Sequence, residues 1–294
     1  MRASPTAKIL VAGATGNVGP TLVAELVRTG QRVRVFARDL QKATRLLGTG
    51  VEVVRGDLSD PASLAPAFHG VRSAFVATAP TPMLGYEESN FIDAARAHGV
   101  ERIVKLSGFG IEFATDRIHI AHALSEQRLR ESGIPSVVLR PVVFMSNLLF
   151  DAASIQSGKL PSNFGDGRIS LVDPRDVAEV AARALLTPTY EGQTLSFGGP
   201  EALSYDLVAA TFTRLLGRPI EHVRMNDASF GAAALKAGLP EFVVEAITVT
   251  ATSARKGRYE VNDDVVRATL GRRASNLAAW IVRHRDAFAP ALAG

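Results

Sequence analysis

Gly13, Gly16 and Gly19 stand three residues apart between a short apolar run, Ile9 to Ala12, and a stretch in which Val18, Leu22, Val23, Leu26 and Val27 recur at helical spacing. Glycine accepts the dihedrals of a sharp strand-to-helix turn and has no Cβ, so an anion can approach the backbone closely. The helix beyond the turn adds free N–H groups and the positive end of its dipole. The chemistry open to these residues is the holding of a pyrophosphate, and a strand before and a helix after are the context a dinucleotide-binding turn requires. A plain glycine-rich turn is the alternative that spacing alone leaves open.

Arg38 follows the second apolar run, Arg32 to Ala37, with no carboxylate ahead of it and Lys42 one helical turn further on. An acidic residue at that point accepts the 2′-hydroxyl of NAD, whereas a guanidinium matches a 2′-phosphate. The expected cofactor is therefore NADP(H) in preference to NAD(H), although Asp39 next door votes the other way. Asp57 follows the third run and is expected either near an adenine edge or as a turn residue. Thr78 and Ser107 end the fourth and fifth runs. Ligands bind beyond the carboxyl ends of strands in an open parallel sheet, so Gly13, Arg38, Asp57, Thr78 and Ser107 are expected to share one edge.

The elements that must position these residues alternate strand and helix five times before residue 110, and the expected fold is α/β, a Rossmann-type doubly wound and mostly parallel sheet. A long helix is expected from about Asp116 to Ser132, then a sixth strand at Ser136 to Arg140 and an apolar stretch from Val142 to Phe150 that is either core or pocket lining. Further strands are expected at Ile169 to Val172, Thr194 to Phe197 and Ile220 to Met225, with Ser253 to Arg258 as a basic loop and a last helix at Ser275 to Phe288. Residues 1–150 are thus expected to form the dinucleotide-binding domain. Residues 151–294 are expected to return to the sheet and build a smaller, mostly helical C-terminal substrate lobe over the cofactor crevice.

The 294 residues can bury a substantial core, and their formal net charge of +4 is scattered, not gathered into a nucleic-acid footprint. The chain has no cysteine, which excludes disulfides, thiolate metal ligands and thiol nucleophiles, so redox chemistry must come from a cofactor. No metal site is expected. Residues 1–7 show no leader pattern and no apolar run is long enough to span a bilayer, so a cytoplasmic protein with no membrane partner is expected.

Ile9-Leu-Val-Ala-Gly-Ala-Thr-Gly-Asn-Val-Gly, Val35-Phe-Ala-Arg-Asp, Val54-Arg-Gly-Asp-Leu-Ser-Asp and Ile103-Val-Lys-Leu-Ser-Gly together resemble the NmrA-like branch of the atypical short-chain dehydrogenases. His122-Ala-Leu-Ser-Glu126 through Pro135, followed by Val138-Leu-Arg-Pro, is similar to that branch's helix and sixth strand, nearest to quinone-reductase and triphenylmethane-reductase-like members. The likeness extends more weakly to Asp176 and Trp280. It implies cofactor contacts at Gly13, Thr15, Gly16, Asn17, Val18, Gly19, Arg38, Asp57, Leu58, Thr78 and Ser107. Ordinary short-chain dehydrogenases carry Tyr-x-x-x-Lys on the long helix, and counting back from Glu126 puts Ile118 at the Tyr position and His122 at the Lys position.

Without that acid, an acceptor that delocalises charge is easier to reduce than an isolated carbonyl. The resemblance therefore implies an NADPH-dependent oxidoreductase delivering hydride to a small conjugated or apolar acceptor, of quinone or azo type or a biosynthetic intermediate. His122 is the expected proton donor or ribose contact, with Glu126 on the same helical face to orient it and His119 as its rival. The other reading is an NADP(H)-binding redox sensor without turnover. A homodimer is compatible with either.

Overall fold

The computed structural model describes residues 8–289; the segment 1–7, where no leader is expected, lies outside them. In chain order the elements are β1 (Lys8–Ala12), α1 (Gly19–Arg28), β2 (Arg32–Ala37), α2 (Leu40–Leu47), β3 (Glu52–Arg55), α3 (Ala65–Phe68), β4 (Val71–Val76), α4 (Leu84–Ala97), β5 (Arg102–Leu106), α5 (Arg117–Ser132) and β6 (Ser136–Pro141). Then follow β7 (Val143–Phe144), α6 (Ala152–Gln156), β8 (Lys159–Ser162), β9 (Leu171–Val172), α7 (Pro174–Leu186), β10 (Thr194–Phe197), α8 (Tyr205–Leu216), β11 (Glu221–Arg224), α9 (Asp227–Lys236), α10 (Glu241–Ala254), α11 (Asp264–Leu270) and α12 (Leu277–Arg283). The main sheet has seven strands in the order β10-β6-β5-β4-β1-β2-β3, the doubly wound arrangement expected from the strand–helix alternation.

Two compact units divide the chain and interleave in it. The first is drawn from Met1–Ile111, Ile118–Arg140 and Val177–Leu195, the second from Glu112–Arg117, Pro141–Asp176 and Ser196–Gly294.

In the first unit β1 pairs in parallel with β2 and β4, β2 with β3, β4 with β5 and β5 with β6. Strands covered on both faces must be apolar along their whole length, and Leu10, Val11, Ala12, Ala74, Phe75, Val76, Ile103 and Val104 are fully buried. One face packs Leu10, Phe36, Val76 and Ile103 against Leu64, Phe68, Phe91, Ile92 and Leu129. Each ring so buried stabilises the fold by about 1.5–3 kcal/mol. Lys105, wholly buried in β5, is in register with Val76 on one side and Val138 on the other.

The second unit holds two small parallel ribbons, β7 with β9 and β8 with β11, among helices. β8 is not expected from the sequence, because Pro161 cannot donate to a ladder. It is tolerated here because the ribbon has only two strands, so one side of β8 needs no pairing. Helix α10 runs through Ser253 and Ala254, both buried, so the expected basic loop begins only at Arg255. In the apolar stretch after β6, Met145 and Leu148 join the core while Phe150 is 81% exposed. Asp176, fully buried at the start of α7, accepts from Ser275 N at 2.7 Å and Arg272 Nη1 at 2.8 Å, which gives it a structural tie within this unit. Among the described residues no helix is long and apolar enough to cross a membrane.

Candidate active site

The parallel order of β5, β4, β1, β2 and β3 brings Ser107, Thr78, Gly13, Arg38 and Asp57 to the same edge of the sheet, in that sequence. Gly13 adopts φ +84°, and a Cβ there would lie 2.3 Å from the carbonyl oxygen of Ala77, just past β4. A Cβ on Gly19 would meet the backbone of Ala14 at 2.4 Å, so that glycine lets α1 press onto the turn. Gly16 differs: the nearest atom to its Cβ position is Gly13 O at 3.4 Å, and both Gly16 and Asn17 are exposed. Helix α1 starts after Val18 with no side-chain cap and with Pro20 in its first turn, while Thr15 is half-buried.

Arg38 and Lys42 are exposed beyond β2. Asp39, the carboxylate that weighed against a phosphate reader, caps α2 by accepting from Lys42 N at 2.9 Å. Asp57 Oδ1 accepts from Ser59 N at 2.9 Å and Ser59 Oγ at 2.8 Å. These bonds, aided by the positive charge of Arg38, hold its carboxyl below the usual range. Leu58 packs half-buried against the core, and its carbonyl accepts from Asn90 Nδ2 at 2.9 Å.

A buried polar network lies behind the tips of β4 and β5. Lys105 and Glu88 are both wholly buried and pair at 2.9 Å. Glu88 also accepts from Thr78 Oγ1 at 3.0 Å and from Ser125 Oγ at 2.6 Å. Lys105 Nζ lies 3.2 Å from His122 Nδ1 and donates to Leu106 O at 3.2 Å. Beside it, Glu126 accepts from Ser107 Oγ at 2.6 Å, from Arg140 Nε at 3.0 Å and from Arg140 Nη2 at 2.6 Å.

Helical spacing expected Glu126 to orient His122; the structure gives that carboxylate to Ser107 and Arg140 and puts Lys105 on the imidazole. Burial works to raise the Glu126 carboxyl, but the hydrogen bonds from Arg140 and Ser107 and the nearby cations outweigh it and hold the group ionised, below its usual range. His122 is driven well below the usual imidazole range by burial, with Lys105, His119 and Arg140 adding to the effect. His119 turns its Nε2 to the Phe109 carbonyl at 2.9 Å, tethering the loop after β5. His122 Nε2 has no hydrogen-bond partner among the described residues, and it faces the Gly108 backbone, where a Cβ would lie 3.9 Å from it.

Sequence reading did not include Lys105, Glu88, Ser125 and Arg140 among the site residues. One signal was available: a lysine inside the apolar strand Arg102-Ile-Val-Lys-Leu must find an acceptor, because burying an unpaired ammonium is prohibitive. No cluster of His, Asp or Glu suited to a metal ion occurs among the described residues.

The model of the NmrA-like family matches residues 5–280 of the chain. A (4-alkanoyl-5-oxo-2,5-dihydrofuran-3-yl)methyl phosphate reductase of Streptomyces griseus is 39% identical over 288 residues, covering 96% of this chain and 99% of that protein. An NAD(P)H azoreductase of Xenophilus azovorans is 33% identical over 287 residues, covering 96% and 100%. Among solved structures, the NADPH-dependent quinone oxidoreductase of Escherichia coli complexed with NADPH matches with a TM-score of 0.86 at 26% identity, over 94% of this chain and 99% of that one.

Proposed function

The chain belongs to the NmrA-like family, and from that premise we propose that it is an NADPH-dependent oxidoreductase delivering hydride to a small conjugated acceptor without the usual Tyr-Lys pair. The observation that carries this reading is the turn Gly13 to Gly19. Its two crowded glycines hold the backbone while Gly16 and Asn17 leave the outer side clear, a cradle that a Cβ would begin to fill. The uncapped amides of α1 suit the pyrophosphate. Arg38, with Asp39 engaged as a helix cap, suits a 2′-phosphate. Thr15, Val18, Asp57, Leu58, Thr78 and Ser107 would line the remainder of the same sheet edge.

When bound, NADPH supplies a hydride and is left as NADP⁺; the acceptor gains the electron pair and takes its proton from water. The chain's part is to receive the charge that gathers on the acceptor heteroatom, and His122 Nε2 is the group available for it. Ile118 offers no proton at the Tyr position, which favours acceptors that delocalise charge. The relatives' names support that class, since a 5-oxo-2,5-dihydrofuran, an azo bond and a quinone are all conjugated.

The test is NADPH oxidation against a panel of quinones, azo dyes and unsaturated lactones, with calorimetry for binding. Turnover with at least one class is expected, and Arg38→Asp should shift preference from NADPH toward NADH. Tight NADPH binding with no turnover on the whole panel would overturn catalysis in favour of a redox sensor, the reading that Ile118 also accommodates.

A further inference from the structure

Lys105 and Glu88 have no part in binding the cofactor as drawn above, yet the fold buries an ion pair directly behind His122. Each of the three ammonium hydrogens of Lys105 has one acceptor, namely Glu88 Oε2, Leu106 O and His122 Nδ1. Glu88 in turn is fixed at both oxygens by Thr78 and Ser125. An ammonium can only donate, so the nitrogen it meets on His122 must be bare, and the ring's single hydrogen is forced to Nε2.

We propose that Lys105, anchored by Glu88, is a positioning residue that holds His122 as the neutral Nε2–H tautomer and so presents a hydrogen-bond donor, not a titrating acid, at the tip of β5. The importance of that donor rests on the reading of His122 given above. A neutral imidazole donor stabilises charge as it develops on an acceptor oxygen or nitrogen without requiring an imidazolium, and the proton itself comes from solvent. The charged groups around the ring favour the same state: Lys105 from β5 and Arg140 from β6 disfavour a second positive charge. Glu88 from α4 and Glu126 on α5, which would favour one, are already engaged by Lys105 and Arg140. His119, on the same helix, adds to the opposition.

The experiment reads the imidazole nitrogens of isotopically labelled histidine by NMR, with His122→Asn to assign the signal. In the native chain at neutral pH His122 should show a protonated Nε2 and a bare Nδ1. Lys105→Met alone would strand the Glu88 charge and threaten the fold. The neutral pair Lys105→Met/Glu88→Gln is therefore the informative variant: both tautomers should appear, and kcat should fall roughly tenfold with KM for NADPH unchanged.

A native His122 carrying its proton on Nδ1, or doubly protonated at neutral pH, would overturn the proposal. So would a double variant that keeps the single tautomer, or one that loses it with kcat intact. If instead His122→Phe reduces acceptors at the native rate while the tautomer is as stated, the functional reading of His122 falls and the assignment of Lys105 stands.

Discussion

Two histidines, one in each unit, meet ionisable neighbours in opposite ways. His122 in the first unit has a cation at Nδ1 and nothing among the described residues at Nε2. His222 in the second, on β11, has Ser162 Oγ at 2.8 Å from Nε2 and Asp206 Oδ1 at 2.7 Å from Nδ1. Hydroxyl, imidazole and carboxylate in that order are the components of a hydrolytic triad. Access reverses the meaning: Ser162 is 2% exposed, whereas the Asp206 side chain is 50% exposed and also bonds Arg224. The would-be nucleophile faces the interior, where no ester can reach it, and both ring nitrogens are satisfied. A row of groups becomes chemistry only when one end stays open, and here the open end belongs to the histidine without a triad.

The sharpest way to break this contrast is a matched pair of substitutions. His122→Phe should lower kcat by about 10²-fold with the Kd for NADPH little changed. His222→Phe should leave turnover intact and appear only as lower stability in urea unfolding. Loss of activity in a folded His222→Phe would place the chemistry in the wrong unit.

A smaller effect is expected from pH. The His122 imidazole titrates well below its unfolded value of about 6.5, so below that pH the unfolded chain binds a proton that the folded chain refuses. Stability should thus be complete above about pH 6.5 and fall on acidification by up to about 1.4 kcal/mol per pH unit until the folded value is reached. Urea midpoints for the native chain and for His122→Asn, measured at about pH 7 and about pH 5.5, should converge toward the lower pH. Parallel curves would remove the contribution assigned to this ring.

The smallest change is expected from Ser162→Ala, which takes away one buried hydrogen bond and should cost about 1 kcal/mol. Activity should be retained, and neither protein should hydrolyse an activated ester. Hydrolysis lost with Ser162 would show that the interior serine is reached after all.

The framework was legible because strand, turn and helix are local properties: the run Thr194–Phe197 forms the strand its pattern suggested, and Gly13 turns where its missing side chain allows it. What escaped was set by partners distant in sequence. Helical spacing alone puts Glu126 beside His122, but the two-pronged guanidinium of Arg140, arriving from β6, outbids a neutral ring for the carboxylate. Lys105 and Glu88 lie on different elements, and no periodicity links them. β8 was hidden by Pro161, whose missing donor matters only when both sides of a strand need pairing.

The contact between Gly13 and the Ala77 carbonyl joins two functions that are otherwise separate. The backbone at Ala77 continues into Thr78, Thr78 holds Glu88, and Glu88 holds the lysine behind His122. A side chain added at the first glycine would push on that carbonyl and shift the far end of the chain of bonds as well. A change at Gly13 is therefore felt both at the nucleotide turn and at the hydrogen-bond donor of His122, so substitutions at Gly13 and Thr78 should give non-additive losses in a double-mutant cycle.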